Sequence, residues 1–242
     1  MARRTVWVAD LGLTPYREAW DLQHRLQDQR IAPKLARNRE RGAPKAPLHD
    51  VLLFTEHPPV YTLGKSARDE HLLIDDQKLE RIGARVVRID RGGDITFHGP
   101  GQVVGYPILD LDHHFTDIHR YLRTLEETVI GVCGDFGVTA GRIDGLTGVW
   151  VEDRKICAFG VRCSRWVTMH GFALNVSTDL SYFDHIVPCG IRDKHVTTLA
   201  RELGRDVEIR QVHDSIVTHF QRLFGVDIRW VSESAVVQPA SA

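Results

Sequence analysis

Long apolar runs are missing from this chain of 242 residues. None approaches the roughly 18 residues that a membrane-spanning helix needs. The apolar stretch in the N-terminal "MARRTVWVADLGL" stops at Asp10, too early for a signal-peptide core. Net charge is nearly absent as well. The 31 Lys and Arg stand against 32 Asp and Glu, a formal charge of −1, which leaves no global electrostatic case for nucleic acid or an anionic membrane as partner. Cysteine is scarce: the four (Cys133, Cys157, Cys163, Cys189) form no CxxC pair and keep no regular spacing. They read as free thiols in a reducing, cytoplasmic setting. No GxxxxGK[ST] loop occurs, and the paired glycines at 92–93 precede a strand rather than a helix, so neither common nucleotide signature is present.

What remains is the composition of an ordinary globular protein, 43% hydrophobic and 26% charged, long enough for one large domain. "TVWVAD" predicts a first strand. A helix follows, with Thr14 as its cap, Pro15 at its first position and Ala19, Leu22 and Leu26 on its apolar face. Residues 32–49, rich in Lys, Arg, Pro and Gly, predict a basic loop, read as a solvated linker more readily than as a docking patch. "VLLFTE" and "VYTLG" predict short strands around an "HPP" turn, "ARVVRID" another, and "DITFHG" and "QVVGYPILDL" two more around Gly-Pro-Gly. Ile118, Tyr121, Leu122, Leu125, Val129, Val132 and Phe136 trace the stripe of the longest helix, with Cys133 beside it as a core residue. "GVWVED", "KICAFGVRC" and "VTMHGFALNV" return to strand, and a helix over "IRQVHDSIVTHFQRLFG" and a strand "VDIRWV" close the fold. The tail 232–242 is expected to be disordered, leaving a single domain over 1–231. Hairpin-like runs of strands with helices between them predict an α+β class: a mixed, largely antiparallel sheet with packed helices.

The densest candidate chemistry lies in "RGGDITFHGPGQ". Paired glycines at 92–93 allow a tight turn or close approach to a ligand, and the two readings are equally compatible with the sequence. His98 adds a polar group at a strand end. Lys155 begins a strand after a charged turn, where a lysine is ordinarily solvated; a role as a base requires desolvation. Gly160 and Gly171 interrupt apolar strands and signal a bulge or a close neighbour. Cys189 differs from the other thiols. It sits in a Pro-Cys-Gly turn with His185 upstream and Lys194 and His195 downstream, cationic neighbours that favour a thiolate. A loop thiol without a role stays open, and a zinc site with the two histidines matches no standard template.

Taken in order, "EHPPVYTLG", "RGGDITFHGPGQVVGYPILDL", "GVWV" with "RKICAFGVR", "HGFALNV" and "IVPCGI" resemble the successive motifs of the lipoate-pathway octanoyltransferases, over residues 50–200. The resemblance implies the biotin/lipoate protein ligase fold, with a smaller sheet beside the main one. It implies octanoyl (or lipoyl) transfer from acyl carrier protein to the lysine of lipoyl domains, those of 2-oxoacid dehydrogenase complexes and of the glycine cleavage H protein. Cys189 is then the nucleophile that carries the acyl group and Lys155 its acid–base partner. The acyl pocket is lined by Arg91, Gly92, Gly93, Asp94, Ile95, Thr96, Phe97 and His98, by Ala158, Phe159 and Gly160, and by Gly171, Phe172 and Ala173. Neither metal nor cofactor is implied, because a thioester is already activated. Three rivals stand beside it: an ATP-dependent lipoate or biotin ligase on the same fold, a non-catalytic carrier- or lipoyl-domain binder, and a cysteine hydrolase.

Overall fold

The run "VLLF" at 51–54 is covered on both faces, and this sets the layering of the molecule. Val51 and Leu53 join a cluster with Ala19, Leu22 and Leu26. Leu52 and Phe54 join another with Leu125, Val129, Ile216 and Phe220. A strand buried on both sides needs a continuous apolar run rather than an alternating one. The computed structural model describes residues 3–37, 48–187 and 195–237.

The chain begins with β1 (Thr5–Leu13), α1 (Tyr16–Arg37), β2 (Asp50–Glu56) and β3 (Val60–Leu63). It continues with α2 (Asp76–Arg81), β4 (Arg85–Arg88), β5 (Ile95–His98), β6 (Gln102–Ile108) and α3 (Ile118–Asp135). Next come β7 (Val149–Val151), β8 (Arg154–Ser164), β9 (Val167–Asn175), β10 (His195–Val196) and α4 (Leu199–Leu203). The last elements are α5 (Ile209–Phe224), β11 (Asp227–Trp230) and α6 (Glu233–Val237). The main sheet has eight strands in the order β10-β8-β9-β6-β2-β1-β11, with β7 added against β8, and a second sheet has the order β4-β3-β5. Antiparallel pairs build the centre of the main sheet, and parallel pairs join β1 to β2 and β11, β8 to β10, and β3 to β4. The class is α+β, as the pattern of strands and helices predicts. α1 covers one face of the main sheet; α3 and α5 cover the other.

Four local expectations change. α1 runs on to Arg37 with Pro33 inside it, so residues 32–37 are helix rather than loop. Lys34 explains the extension: its ammonium binds the carboxylates of Asp110 and Asp112 and the Arg165 carbonyl, fixing that turn of helix to the sheet edge. The rest of the basic stretch, 38–47, lies outside the described residues. Thr14 does not cap the helix; its hydroxyl donates to the Leu11 carbonyl at 2.7 Å. The two proline turns do not close hairpins, since β2 and β6 belong to the main sheet while β3 and β5 belong to the small one. Each turn carries the chain from one sheet to the other. Finally, the tail forms α6, where Val236 is buried against β1.

Candidate active site

Lys155 is the second residue of β8, and it is buried. The solvated reading, natural for a lysine after a charged turn, does not hold, because β7 and β10 flank β8 on its two sides. Its Nζ lies over the Trp150 ring, 4.6 Å from the centroid. It opens onto a cleft of about 670 Å³ shared with Gly93, Asp94, Leu146, Phe159 and Gly160, within the usual range for small-molecule sites. A narrower extension of about 50 Å³ runs on between Arg91, Thr96, His98, His170 and Ala173. A small recess of about 20 Å³ joins Lys155 to Thr96, Ala173 and Asn175.

Most of the residues singled out in the sequence meet here. Gly92, Gly93 and Asp94 line the wide cleft, and Ala158, Phe159 and Gly160 form a wall common to it and the extension. Arg91, Ile95, Thr96, His98, Gly171, Phe172 and Ala173 line the extension. Phe97 lines neither space. Pleat alternation along β5 turns it to the opposite side from Thr96, where it stacks on Tyr182 at 4.5 Å. Cys189 and Lys194 lie outside the described residues. His185 is engaged elsewhere: the Tyr61 hydroxyl donates to the Tyr182 carbonyl, so it accepts from His185 Nδ1 at 3.0 Å. His195 is exposed, on β10.

At Gly160 and Gly171 the close neighbour that the sequence signals is protein. A Cβ on Gly160 would lie 2.7 Å from Arg91 Cδ, and one on Gly171 would lie 2.1 Å from the Gly105 carbonyl oxygen. The space is taken by protein, and the close approach is what brings "RGGD" against β8. Arg91-Gly92-Gly93 is therefore not a hairpin turn; it crosses from β4 past β3 to β5. The Gly92 N–H donates to the Val161 carbonyl at 3.1 Å, and the Arg91 guanidinium donates to the Thr62 carbonyl and hydroxyl at 2.9 and 3.1 Å.

Behind the extension runs a directional chain of hydrogen bonds. Gln102 donates its amide to Asn175 Oδ1 at 2.9 Å and to the Phe97 carbonyl, so its oxygen accepts from His98 Nδ1 at 2.8 Å. His98 Nε2 then accepts from the Thr62 hydroxyl at 3.3 Å, and Asn175 donates onward to the Thr197 carbonyl at 3.1 Å. Burial, with His57 nearby, holds the His98 ring well below the usual imidazole range, so it serves as a neutral relay. His170 holds φ at +60° inside β9 and donates from Nε2 to Asp90 at 2.8 Å. That bond, more than any other influence, brings the Asp90 carboxyl down to about 2.

Several site residues carry no signal in the sequence. His71 lines the wide cleft, yet "RDEHLL" has no period or motif to mark it. Gly145 to Thr147 also line it, held there by Glu126. This carboxylate is fully buried and accepts from the Gly148 N–H at 3.2 Å, from Arg123 at 2.7 Å and from Arg142 at 2.9 Å. The three described thiols are poor nucleophiles. Burial pushes Cys133 up to about 12 and Cys157 and Cys163 upward as well.

The fold is that of the lipoate-protein ligases. Lipoate-protein ligase A bound with ATP superposes with a TM-score of 0.70 at 19% identity, covering 98% of this chain and 93% of that one. At that identity the likeness shows the fold alone. Sequence comparison goes further: residues 15–221 match the lipoyl protein ligase A/B catalytic domain. An octanoyltransferase of Cytophaga hutchinsonii is 54% identical over 93% of this chain and 95% of its own, and one of Christiangramia forsetii is 50% identical over 94% and 99%. The chain belongs to the lipoyl protein ligase A/B catalytic domain family, on its octanoyltransferase branch.

Proposed function

We infer that the chain is an acyltransferase that moves octanoyl groups in the lipoate pathway onto lipoyl-domain proteins, and propose that it does so in two steps through Cys189. The observation that carries this reading is the burial of Lys155 at the cleft, between the two anchored flanks of the cysteine segment. On one side the Val187 N–H donates to the His71 carbonyl at 2.9 Å. On the other, His195 and Val196 pair with Arg154 and Lys155. The raised pKa of the three described thiols supports the same choice.

In the first step the Cys189 thiol gives its proton to Lys155, and the thiolate attacks the octanoyl (or lipoyl) thioester of acyl carrier protein. The donor sulfur leaves and takes the proton back from Lys155. The exchange is nearly isoenergetic, thioester for thioester, which splits one difficult transfer into two easier ones. In the second step the target lysine of the acceptor attacks the Cys189 thioester; lipoyl domains of 2-oxoacid dehydrogenase complexes and the glycine cleavage H protein are the proposed acceptors. The apolar wall of Leu146, Ala158, Phe159 and Ala173 suits the acyl chain. The cytoplasm, where thiols stay reduced, is the proposed compartment.

Intact-protein mass spectrometry after mixing with octanoyl carrier protein tests the reading. Wild type should carry one octanoyl adduct, absent from Cys189→Ala. Lys155→Ala should acylate about 100-fold more slowly, the scale of one lost acid–base group. Normal transfer by Cys189→Ala would remove the acyl-enzyme from the mechanism.

A further inference from the structure

We propose that His71 and Asp94 form a second acid–base pair in the cleft, which takes the proton of the incoming acceptor lysine. The proposal deepens the acyl-enzyme reading above and rests on it. His71 Nδ1 lies 2.5 Å from Asp94 Oδ2, with the two side chains 16% and 11% exposed. The other carboxylate oxygen accepts the Ile95 N–H at 2.8 Å. An ionised carboxylate only accepts, so the bond to Asp94 places a proton on Nδ1; the neutral form of the ring then carries its lone pair on Nε2. Nε2 makes no hydrogen bond among the described residues. A carboxylate that fixes the tautomer of a histidine, leaving the far nitrogen to move a proton, is the arrangement of acyl-transfer triads.

Position supports chemistry. Both side chains line the wide cleft together with Lys155. Asp94 is fixed by its backbone, whose carbonyl accepts the Gly64 N–H at 3.2 Å. His71 is fixed against the segment that leads to the cysteine: its carbonyl takes the Val187 N–H, and its neighbour Leu72 bridges Ile186. Ser66 and Arg68 share the wall of the cleft beside it, and Arg68 is exposed, so the pair lies toward the side open to a protein acceptor.

The acceptor needs such a group. A lysine side chain enters as an ammonium, with an ordinary pKa of about 10.4 and no lone pair to attack with. His71 Nε2 takes one ammonium proton. The freed amine attacks the thioester carbon, the C–N bond forms and the C–S bond breaks. The second proton lost by the nitrogen passes to the departing Cys189 sulfur, by way of Lys155. The products are the amide, the thiol and one proton on His71, released to solvent. Lys155 thus serves the sulfur in both steps, and His71 serves the amine.

Single-turnover chase tests the division of labour. The octanoyl enzyme is loaded from carrier protein, isolated, and chased at pH 7 with either a lipoyl domain or hydroxylamine, a nucleophile already neutral there. His71→Gln should slow transfer to the lipoyl domain about 100-fold while changing hydroxylamine release by less than about twofold, the difference reflecting one general base. Asp94→Asn, which leaves the imidazole in place, should show the same selectivity to a smaller degree and serves as a second variant. Equal slowing with both nucleophiles, or slowing with neither, overturns the proposal and leaves the pair a structural tie. A wild type that never acquires the octanoyl adduct overturns the acyl-enzyme reading itself, and this inference with it.

Discussion

His57 shows what burial does to a single ring. It is fully buried, with Nδ1 donating to the Thr14 carbonyl and Nε2 accepting from the Tyr106 hydroxyl, both at 2.7 Å. Desolvation brings it from 6.5 to about 4. The unfolded chain therefore binds this proton first as pH falls, so the ring's contribution to stability is whole above about pH 6.5 and declines toward pH 4. At 1.36 kcal/mol per unit, the loss is at most about 3 kcal/mol. Urea midpoints measured between pH 7 and pH 4.5 should fall in wild type, and fall less steeply in His57→Asn. The sequence shows a histidine before two prolines and says nothing of this, because burial depends on Tyr106, a strand away.

At the scale of elements, Glu126 links a helix to the cleft. Its neighbours on α3, Leu125 and Val129, were legible as an apolar stripe; a glutamate between them reads as a solvated position. Folding places it at the inner edge, where it ties Gly148 and Arg142 to the helix. Glu126→Ala strands a buried N–H and should cost about 1–3 kcal/mol. It should also raise KM for the acyl donor by loosening the Gly145–Thr147 wall, a change that steady-state kinetics with octanoyl carrier protein would read. Strand positions were legible by a different route. "VLLF" and "KICAF" announce themselves by composition, whereas the partner each strand takes was hidden: nothing in "HPP" or "GPG" tells a hairpin from a crossing between sheets.

The whole molecule is two sheets meeting at a cleft, joined behind it by the polar chain from Arg91 through Thr62, His98 and Gln102 to Asn175 and Thr197. Thr62 and His98 belong to the small sheet; Gln102 and Asn175 belong to the main one. Such a connected network couples its members. Gln102→Ala and Asn175→Ala should each destabilise, and their double-mutant cycle should depart from additivity by about 0.5–3 kcal/mol, as contacting residues do. Additive losses would mean that Gln102 and Asn175 do not act as one network.

The sequence by itself determined the class of fold, the covered faces of its helices and strands, and the order of motifs by which the family is known. These depend on local period and composition, which a linear chain displays. It also set Cys189 apart from the other thiols. Only the tertiary structure decided that Lys155 is buried rather than solvated, that Phe97 faces away from the pocket, which segments Gly160 and Gly171 let approach, and that His71 meets Asp94. Each of those turns on which distant segments are brought together, and pairing across sheets leaves no period in the chain to read.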